Sequence, residues 1–288
     1  MAGVAIVTDG TADLPLHAAR QWNVDVVPLA IMFADETSLS SDAIDAAAFV
    51  TRLRTEAIPT TSQPSPAAFD AAYERCAGAG ATAIVSVHCS AELSGTVNSA
   101  NQAARRAQVP VHVVDTRLVG GALALAVRAA SRARDAGGDV SDILAAVDDV
   151  RTRSVSLLIV DSLDYLRRGG RLRGAQAMVG TALRVKPVLH LIDGRVELRE
   201  RARTWQRAMQ RTVDIVAQLA GKAPIDLLIV HADAEERALH LRRMLEFAVG
   251  IGDDDLAAIG PIVATHVGPG AVGLAAIVHN RATDEASV

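Results

Sequence analysis

Aromatic residues are scarce in this chain: two Trp, two Tyr and four Phe make up 3% of its 288 residues. An extended stacking surface for bases or sugars is therefore not expected. Cysteine is scarcer still. Cys76 and Cys89 are the only two, and neither belongs to a CxxC pair. That excludes a thiolate metal motif and leaves two buried thiols in a reducing cytoplasm as the expected state. No apolar run reaches 18 residues, so no spanning helix is expected. The opening Met1-Ala2-Gly3-Val4-Ala5-Ile6-Val7 has no basic start and no long apolar core, and it reads as a first strand instead of a signal peptide. A basic excess is also missing. Against 33 Asp+Glu stand 29 Lys+Arg, a net charge of −4, which argues against a nucleic-acid partner. The eight His are scattered, HExxH is absent, and there is no GxxxxGK[ST]. No metal ligand set and no phosphate-cradling P-loop are expected.

Half of the residues are hydrophobic and 22% are charged, close to the ordinary soluble balance. At about 150 residues per domain, the length suggests two domains. In the first half, short apolar runs at 4–7, 26–31, 83–87 and 111–114 alternate with helical patterns at 14–22, 46–54, 66–79, 96–108, 121–135 and 141–152. That alternation predicts βαβ units and a parallel, Rossmann-like layered sheet. Ser65 and Pro66 suit the cap and first position of a helix. Around residue 155 the rhythm changes. Residues 157–160 form an apolar run, and 185–192 and 195–201 flank Asp193-Gly194, a strong hairpin signal. Helices at 205–219 and 235–248 and strands at 225–231, 259–265 and 274–278 follow. The fold class expected is α/β: a parallel domain over residues 1–153, then a domain over 154–288 with a mixed sheet and helices, and a loose tail at 283–288.

Ser94-Gly95-Thr96 follows a strand and opens a helix, and Thr60-Thr61-Ser62 lies just ahead of another helix start. Unpaired N–H groups and the dipole at a helix start favour an anion. In an open parallel sheet, ligands bind at the carboxyl ends of the strands. Hydroxyls with no adjacent cation make a mild anion site suited to a carboxylate, and Gly95 would let the ligand come close. His266 is expected at a strand end, before Gly268-Pro269-Gly270. Gly268 to Gly273 fits GxGxxG, but only fifteen residues follow it, too few for a dinucleotide fold, so a tight turn is expected instead. Arg167-Arg168-Gly169-Gly170-Arg171 is a basic cluster around a flexible Gly pair.

These segments together resemble the DegV family of fatty-acid-binding proteins. The matching pieces are Thr8-Asp9-Gly10-Thr11-Ala12-Asp13-Leu14-Pro15, Thr61-Ser62-Gln63-Pro64-Ser65, Leu93-Ser94-Gly95-Thr96, Leu163 through Arg171, Lys186-Pro187-Val188-Leu189 and His266 through Ala271. They run in family order over residues 4–280. One departure is Gly10, where the family usually has Ser. The resemblance implies two α/β domains with a long-chain fatty acid held between or under them. It implies a carboxylate bound by Thr61, Ser62 and Ser94, with Gly95 nearby and Arg171 and His266 close to the head group. It also implies a partner, the ATP-binding subunit of a fatty acid kinase, to which a non-catalytic carrier presents its acyl chain. The expected ligand is the fatty acid itself, with no cofactor, and transient contact with a membrane surface is left open.

The rival reading is a serine hydrolase with Ser94 as nucleophile, His266 as base and Asp9 or Asp115 as orienter. All the residue types are present, but the GxSxG elbow is not.

Overall fold

A parallel sheet needs strands that are apolar on both faces and helices to cover them, and the first half of the chain supplies both. The computed structural model describes residues 3–33, 38–55, 57–172 and 185–279. Its first elements are β1 (Val4–Asp9), α1 (Leu16–Gln21), β2 (Val24–Val27), β3 (Ala30–Met32), β4 (Ser38–Ser40), α2 (Ala46–Thr55) and β5 (Thr60–Ser62). Next come α3 (Pro66–Gly78), β6 (Ala83–His88), α4 (Thr96–Ala104), β7 (Val111–Asp115), α5 (Gly121–Asp135) and α6 (Val140–Arg153). The remainder runs β8 (Ser154–Ile159), α7 (Asp164–Arg168), β9 (Lys186–Ile192), β10 (Arg195–Ala202), α8 (Trp205–Ala220), β11 (Ile225–His231), α9 (Glu235–Ala248), β12 (Ile251–Ala258), α10 (Pro261–Val267) and β13 (Val272–Val278).

Two compact units result. One comprises Met1–Asp45, Ala57–Thr152 and Gly260–Val263, the other Ala46–Glu56, Arg153–Ile259 and Ala264–Val288. The division is thus not a single cut near residue 153. In the second unit α2 buries Phe49, Val50 and Leu53. There the Tyr165 hydroxyl donates to the Leu53 carbonyl at 3.2 Å, and Arg54 pairs with Asp233 at 2.8 Å.

The first unit holds a four-stranded sheet in the order β2-β1-β6-β7, parallel throughout. Phe69, Ala72 and Tyr73 of α3 and Ala100 and Ala103 of α4 pack on Val7, Val27 and Ile84. A separate three-stranded antiparallel sheet has the order β4-β3-β5. The second unit holds a six-stranded sheet, β10-β9-β8-β13-β11-β12, in which β11 and β12 are parallel and the other pairs antiparallel. Ala208, Met209, Val213 and Val216 of α8 and Leu241 and Leu245 of α9 fill its core. Asp193 and Gly194 both take positive φ, 48° and 79°, as a two-residue hairpin turn of the primed type requires.

Four expectations fail for identifiable reasons. The run at 26–31 is two strands, β2 and β3, because Pro28 cannot donate into a ladder. The helix expected from residue 14 starts at Leu16: Asp13 is left-handed at φ 52° and Pro15 is the extended residue before the helix. β12 goes unseen because its Asp253-Asp254-Asp255 has no apolar alternation. Charges of this kind blunt an exposed sheet edge. The strand expected at 259–265 is instead α10, with Pro261 in first position and Gly268 closing it at φ 78°. His266 therefore lies in the last helical turn and not at a strand end. The tail at 283–288 lies outside the described residues.

The end of β1 is fixed by a buried carboxylate. Asp9 accepts from Thr11 N at 3.0 Å and Thr11 Oγ1 at 2.5 Å on one oxygen. On the other it accepts from His88 Nδ1 at 3.0 Å and Cys89 N at 3.1 Å. Burial opposes the charge, but the His88 hydrogen bond and charge and the further donors win, and Asp9 is held below the usual carboxylate range. Asp13 goes the other way. Burial drives its carboxyl well above that range, against the Gly260 backbone N–H and with the nearby charge of Asp9.

The two carboxyls have opposite pH signatures. Asp9, being depressed, contributes stability above the unfolded carboxyl range of about 3.9 and loses it as pH falls through the folded value. Asp13, being raised, contributes below that range and loses its contribution as pH rises. Asp9→Asn should cost about 3 kcal/mol at pH 7, with the loss fading in acid, whereas Asp13→Asn should stabilise at pH 7. Urea melts between pH 3 and 8 read both signs.

Candidate functional site

Polar side chains are massed at the carboxyl end of the parallel sheet, where a core would ordinarily be apolar. Thr8, Asp9, Ser86, His88, Ser90, Thr96, Ser99 and Thr116 are all at most 1% exposed. Each such group needs a partner. Thr8 Oγ1 donates to the Val87 carbonyl at 2.8 Å, and Thr116 Oγ1 to that of His88 at 2.7 Å. Since ionised Asp9 only accepts, His88 Nδ1 carries the proton between them. His88 Nε2 lies 2.6 Å from Ser86 Oγ, which lies 2.8 Å from the Tyr73 hydroxyl. Burial pushes that phenol up to about 12, so it stays protonated. The chain Tyr73–Ser86–His88–Asp9 is a closed polar bracket beneath the site.

The loop after β6 leads from this bracket to Ser94. Ser94 Oγ lies 2.8 Å from Thr96 Oγ1, and Gly95 takes the cap position of α4 at φ −74°. The cap residue of this helix is a glycine, which supplies no side-chain cap hydrogen bond. Its first N–H groups and two hydroxyls therefore gather at one end, with the helix dipole in support. Gly95 does not leave open space, however. A Cβ there would lie 1.7 Å from Gln63 Oε1, so the Gln63 carboxamide lies directly over the glycine. Its Nε2 donates to the buried Ser99 Oγ at 3.0 Å. The sequence assigns Gln63 no role, although it stands inside the Thr61-Ser62-Gln63-Pro64-Ser65 piece that carries the family resemblance. Thr61 and Ser62 are strand residues, not loop residues: in β5 they pair with Ile31 and Ala30.

In the second unit, Arg171 and His266 are brought together. Arg171 Nη1 donates to the Gly169 carbonyl, and Gly169 is packed on the imidazole, where a Cβ would lie 2.3 Å from His266 Nδ1. Burial, then the Arg171 charge, push His266 down to about 4, so the ring is neutral at pH 7. The turn after it is equally close-packed, with Gly268 on the Tyr165 ring and Gly270 on Asp161. Asp161 receives Lys186 Nζ, Trp205 Nε1 at 3.0 Å and Arg237 Nη1 at 3.2 Å. Arg237 also donates to the Gly270 carbonyl at 3.2 Å and lies 4.2 Å over the Trp205 ring. In the basic cluster Arg167 is bonded to Asp164 at 2.9 Å, and both Arg167 and Arg168 are exposed.

Both candidate orienters of the hydrolase reading are already engaged within the first unit. Asp9 is committed to His88, and Asp115 accepts from Ala91 N at 3.2 Å and Arg117 N at 3.0 Å. The Asp–His–Ser chain that does exist, Asp9–His88–Ser86, is wholly buried. Among the described residues no group of three His, Cys, Asp or Glu could hold a metal, and no helix is long and apolar enough to cross a membrane. Both cysteines are buried free thiols, with Cys76 pushed up to about 11. A surface hollow of about 460 Å³ lies at the amino ends of β1 and β2, lined by Val4, Asn23, Arg75 and Cys76. It is at the end of β1 opposite the polar belt and takes no part in the candidate site.

A parallel four-stranded α/β unit followed by a unit built on a mixed six-stranded sheet is an architecture this chain shares with solved structures. More particularly, the model described as an uncharacterised protein of the DegV family matches residues 3–279, and the chain belongs to that family. A DegV domain-containing protein of Streptomyces coelicolor is 41% identical over 272 residues, 94% of this chain and 97% of that one. A DegV family protein from Thermus thermophilus, described as fatty-acid-binding, superposes with a TM-score of 0.90 at 33% identity, covering 96% and 100% of the two chains. A lipid-binding DegV protein from Thermotoga maritima gives a TM-score of 0.90 at 28% identity over 97% and 99%.

The contact between Gly169 and His266 gives a direct test. Gly169→Ala places a methyl where Nδ1 now lies, so the imidazole must leave its buried seat. Its pKa should then rise from about 4 toward the ordinary value of about 6.5, as read by NMR titration of the His266 ring.

Proposed function

We propose that the chain is a cytoplasmic, non-catalytic carrier of a long-chain fatty acid. The observation that carries this reading is the glycine-led start of α4, with the Ser94 and Thr96 hydroxyls 2.8 Å apart beside it. Neutral donors at a helix start suit a single carboxylate. The likeness to DegV proteins described as lipid-binding supports the choice of ligand. In this reading Thr61, Ser62, Ser94, the Gly95 backbone, Arg171 and His266 are the proposed head-group residues, as the family resemblance implies.

The energetics suit a carrier. A sixteen-carbon acid has about fourteen methylenes, and at about 0.8 kcal/mol each their burial offers about 11 kcal/mol before the cost of ordering the chain. Affinity then comes from the tail, and the hydroxyls fix the head without fully neutralising it. A carboxylate held in this way keeps a nucleophilic oxygen. A separate ATP-binding kinase subunit can transfer the γ-phosphoryl group to that oxygen, giving an acyl phosphate and ADP. Exposed Arg167 and Arg168 are the proposed steering charges for that subunit.

The ligand and its head-group site are tested first. Organic extraction of purified protein followed by mass spectrometry should release a fatty acid. Ser94→Ala and Thr61→Ala should each weaken oleate binding by about tenfold to a hundredfold, the worth of a hydrogen bond to a charged group. Unchanged binding in the double variant would remove these hydroxyls from the head-group site.

The second experiment follows His266. An adjacent carboxylate favours the imidazolium, so loading with oleate should raise its pKa from about 4. An NMR titration that reads the same value in loaded and delipidated protein would take His266 away from the ligand.

A further inference from the structure

β5 is a weak place to mount a binding residue. It is three residues long and pairs only with β3, in a sheet of three short strands. Yet Thr61 lies on it. Two residues beyond Thr61, the Gln63 carboxamide bridges to α4. Nε2 donates to Ser99 Oγ at 3.0 Å, one turn inside the helix, where Ser99 is 1% exposed. Oε1 occupies the space over Gly95 that any side chain would fill, 1.7 Å from the position of a Cβ. Gly95 immediately follows Ser94. The amide is therefore fixed at two points on the same helix start that presents Ser94. All of these residues lie in the first unit.

We propose that Gln63 is a positioning residue: its carboxamide, seated on Gly95 and tied to Ser99, sets the spacing between the Thr61 hydroxyl on β5 and the Ser94 hydroxyl at α4. This rests on the fatty-acid reading and adds to it a determinant of head-group selectivity that touches no ligand atom itself. Gly95 has an ordinary helical-side φ of −74°, so its backbone would accept alanine. What forbids a side chain there is the amide. Glycine at 95 and glutamine at 63 are two halves of one device.

The test compares two ligands with the same tail, oleate and oleyl alcohol, on delipidated full-length protein. Gln63→Ala should lower oleate affinity about fivefold to tenfold, the equivalent of one hydrogen-bond constraint, and leave oleyl alcohol binding unchanged. Gly95→Ala should do the same by expelling the amide. The double variant should match Gln63→Ala alone, because the alanine methyl then has room; distant, independent sites would instead add. Equal loss of both ligands, or additive losses, would make Gln63 ordinary packing and overturn the proposal. Full retention of the preference for oleate in both single variants would overturn it too while leaving the fatty-acid reading intact. A wild-type protein that does not prefer oleate to the alcohol would remove the reading and the device together.

Discussion

The first unit depends on the charge of Asp9 staying buried. A carboxylate with no exposure is tolerable only when each oxygen is answered, and four donors do so from two segments: Thr11, in the turn after β1, and His88 and Cys89, at the end of β6. That single group therefore welds the carboxyl ends of two neighbouring parallel strands. The loop that starts at Cys89 leads to Ser94, so the direction in which the hydroxyls are presented follows from where Asp9 sits. The ring of His88 carries the constraint inward through Ser86 to Tyr73 on α3. The polar belt is costly to bury, and its cost is offset because nearly every member bonds to the backbone or to another member.

The second unit solves the corresponding problem by contact. His266 is seated against a glycine that admits no side chain, and the turn after it is pinned by Asp161 through Arg237. Asp161 is partly exposed, yet three donors and the Trp205 ring hold it in place, and the Lys186 and Trp205 hydrogen bonds outweigh burial to keep it ionised. Rigidity here comes from close backbone approach, and the motif residues Gly169, Gly268 and Gly270 are glycine for that reason.

How much of this was legible follows from what periodicity encodes. β11 and α9 match their predicted bounds because an apolar run and an amphipathic repeat mark them cleanly. β12 was invisible because an acidic edge strand has no apolar face to announce it, and α10 read as a strand because its β-branched run outweighed the Pro261 and Gly268 signals at its ends. Ser94, Thr61, Arg171 and His266 were legible as chemistry at motif positions. Gln63 stands in a motif piece, but its contact with Gly95, 32 positions away in sequence, is of a range that no local pattern carries. The Asp9–His88 bond, across 79 positions, was hidden in the same way.

Under the proposed carrier reading, a head-group site built mainly of hydroxyls, with Arg171 its proposed cation, has a physical logic. A cation facing the reacting oxygen directly would bind it more strongly, but would also lower the nucleophilicity that the proposed phosphoryl transfer needs. Hydroxyls and a helix start orient the same oxygen at lower electrostatic cost. The product carries more negative charge than the acid, and there a group able to gain a proton becomes useful. His266, whose pKa is held down to about 4 in its buried seat beside Arg171, is such a group. Its proton affinity is set low by burial and would rise with each negative charge brought to it, so the imidazole would strengthen its hold as the ligand changes from acid to acyl phosphate.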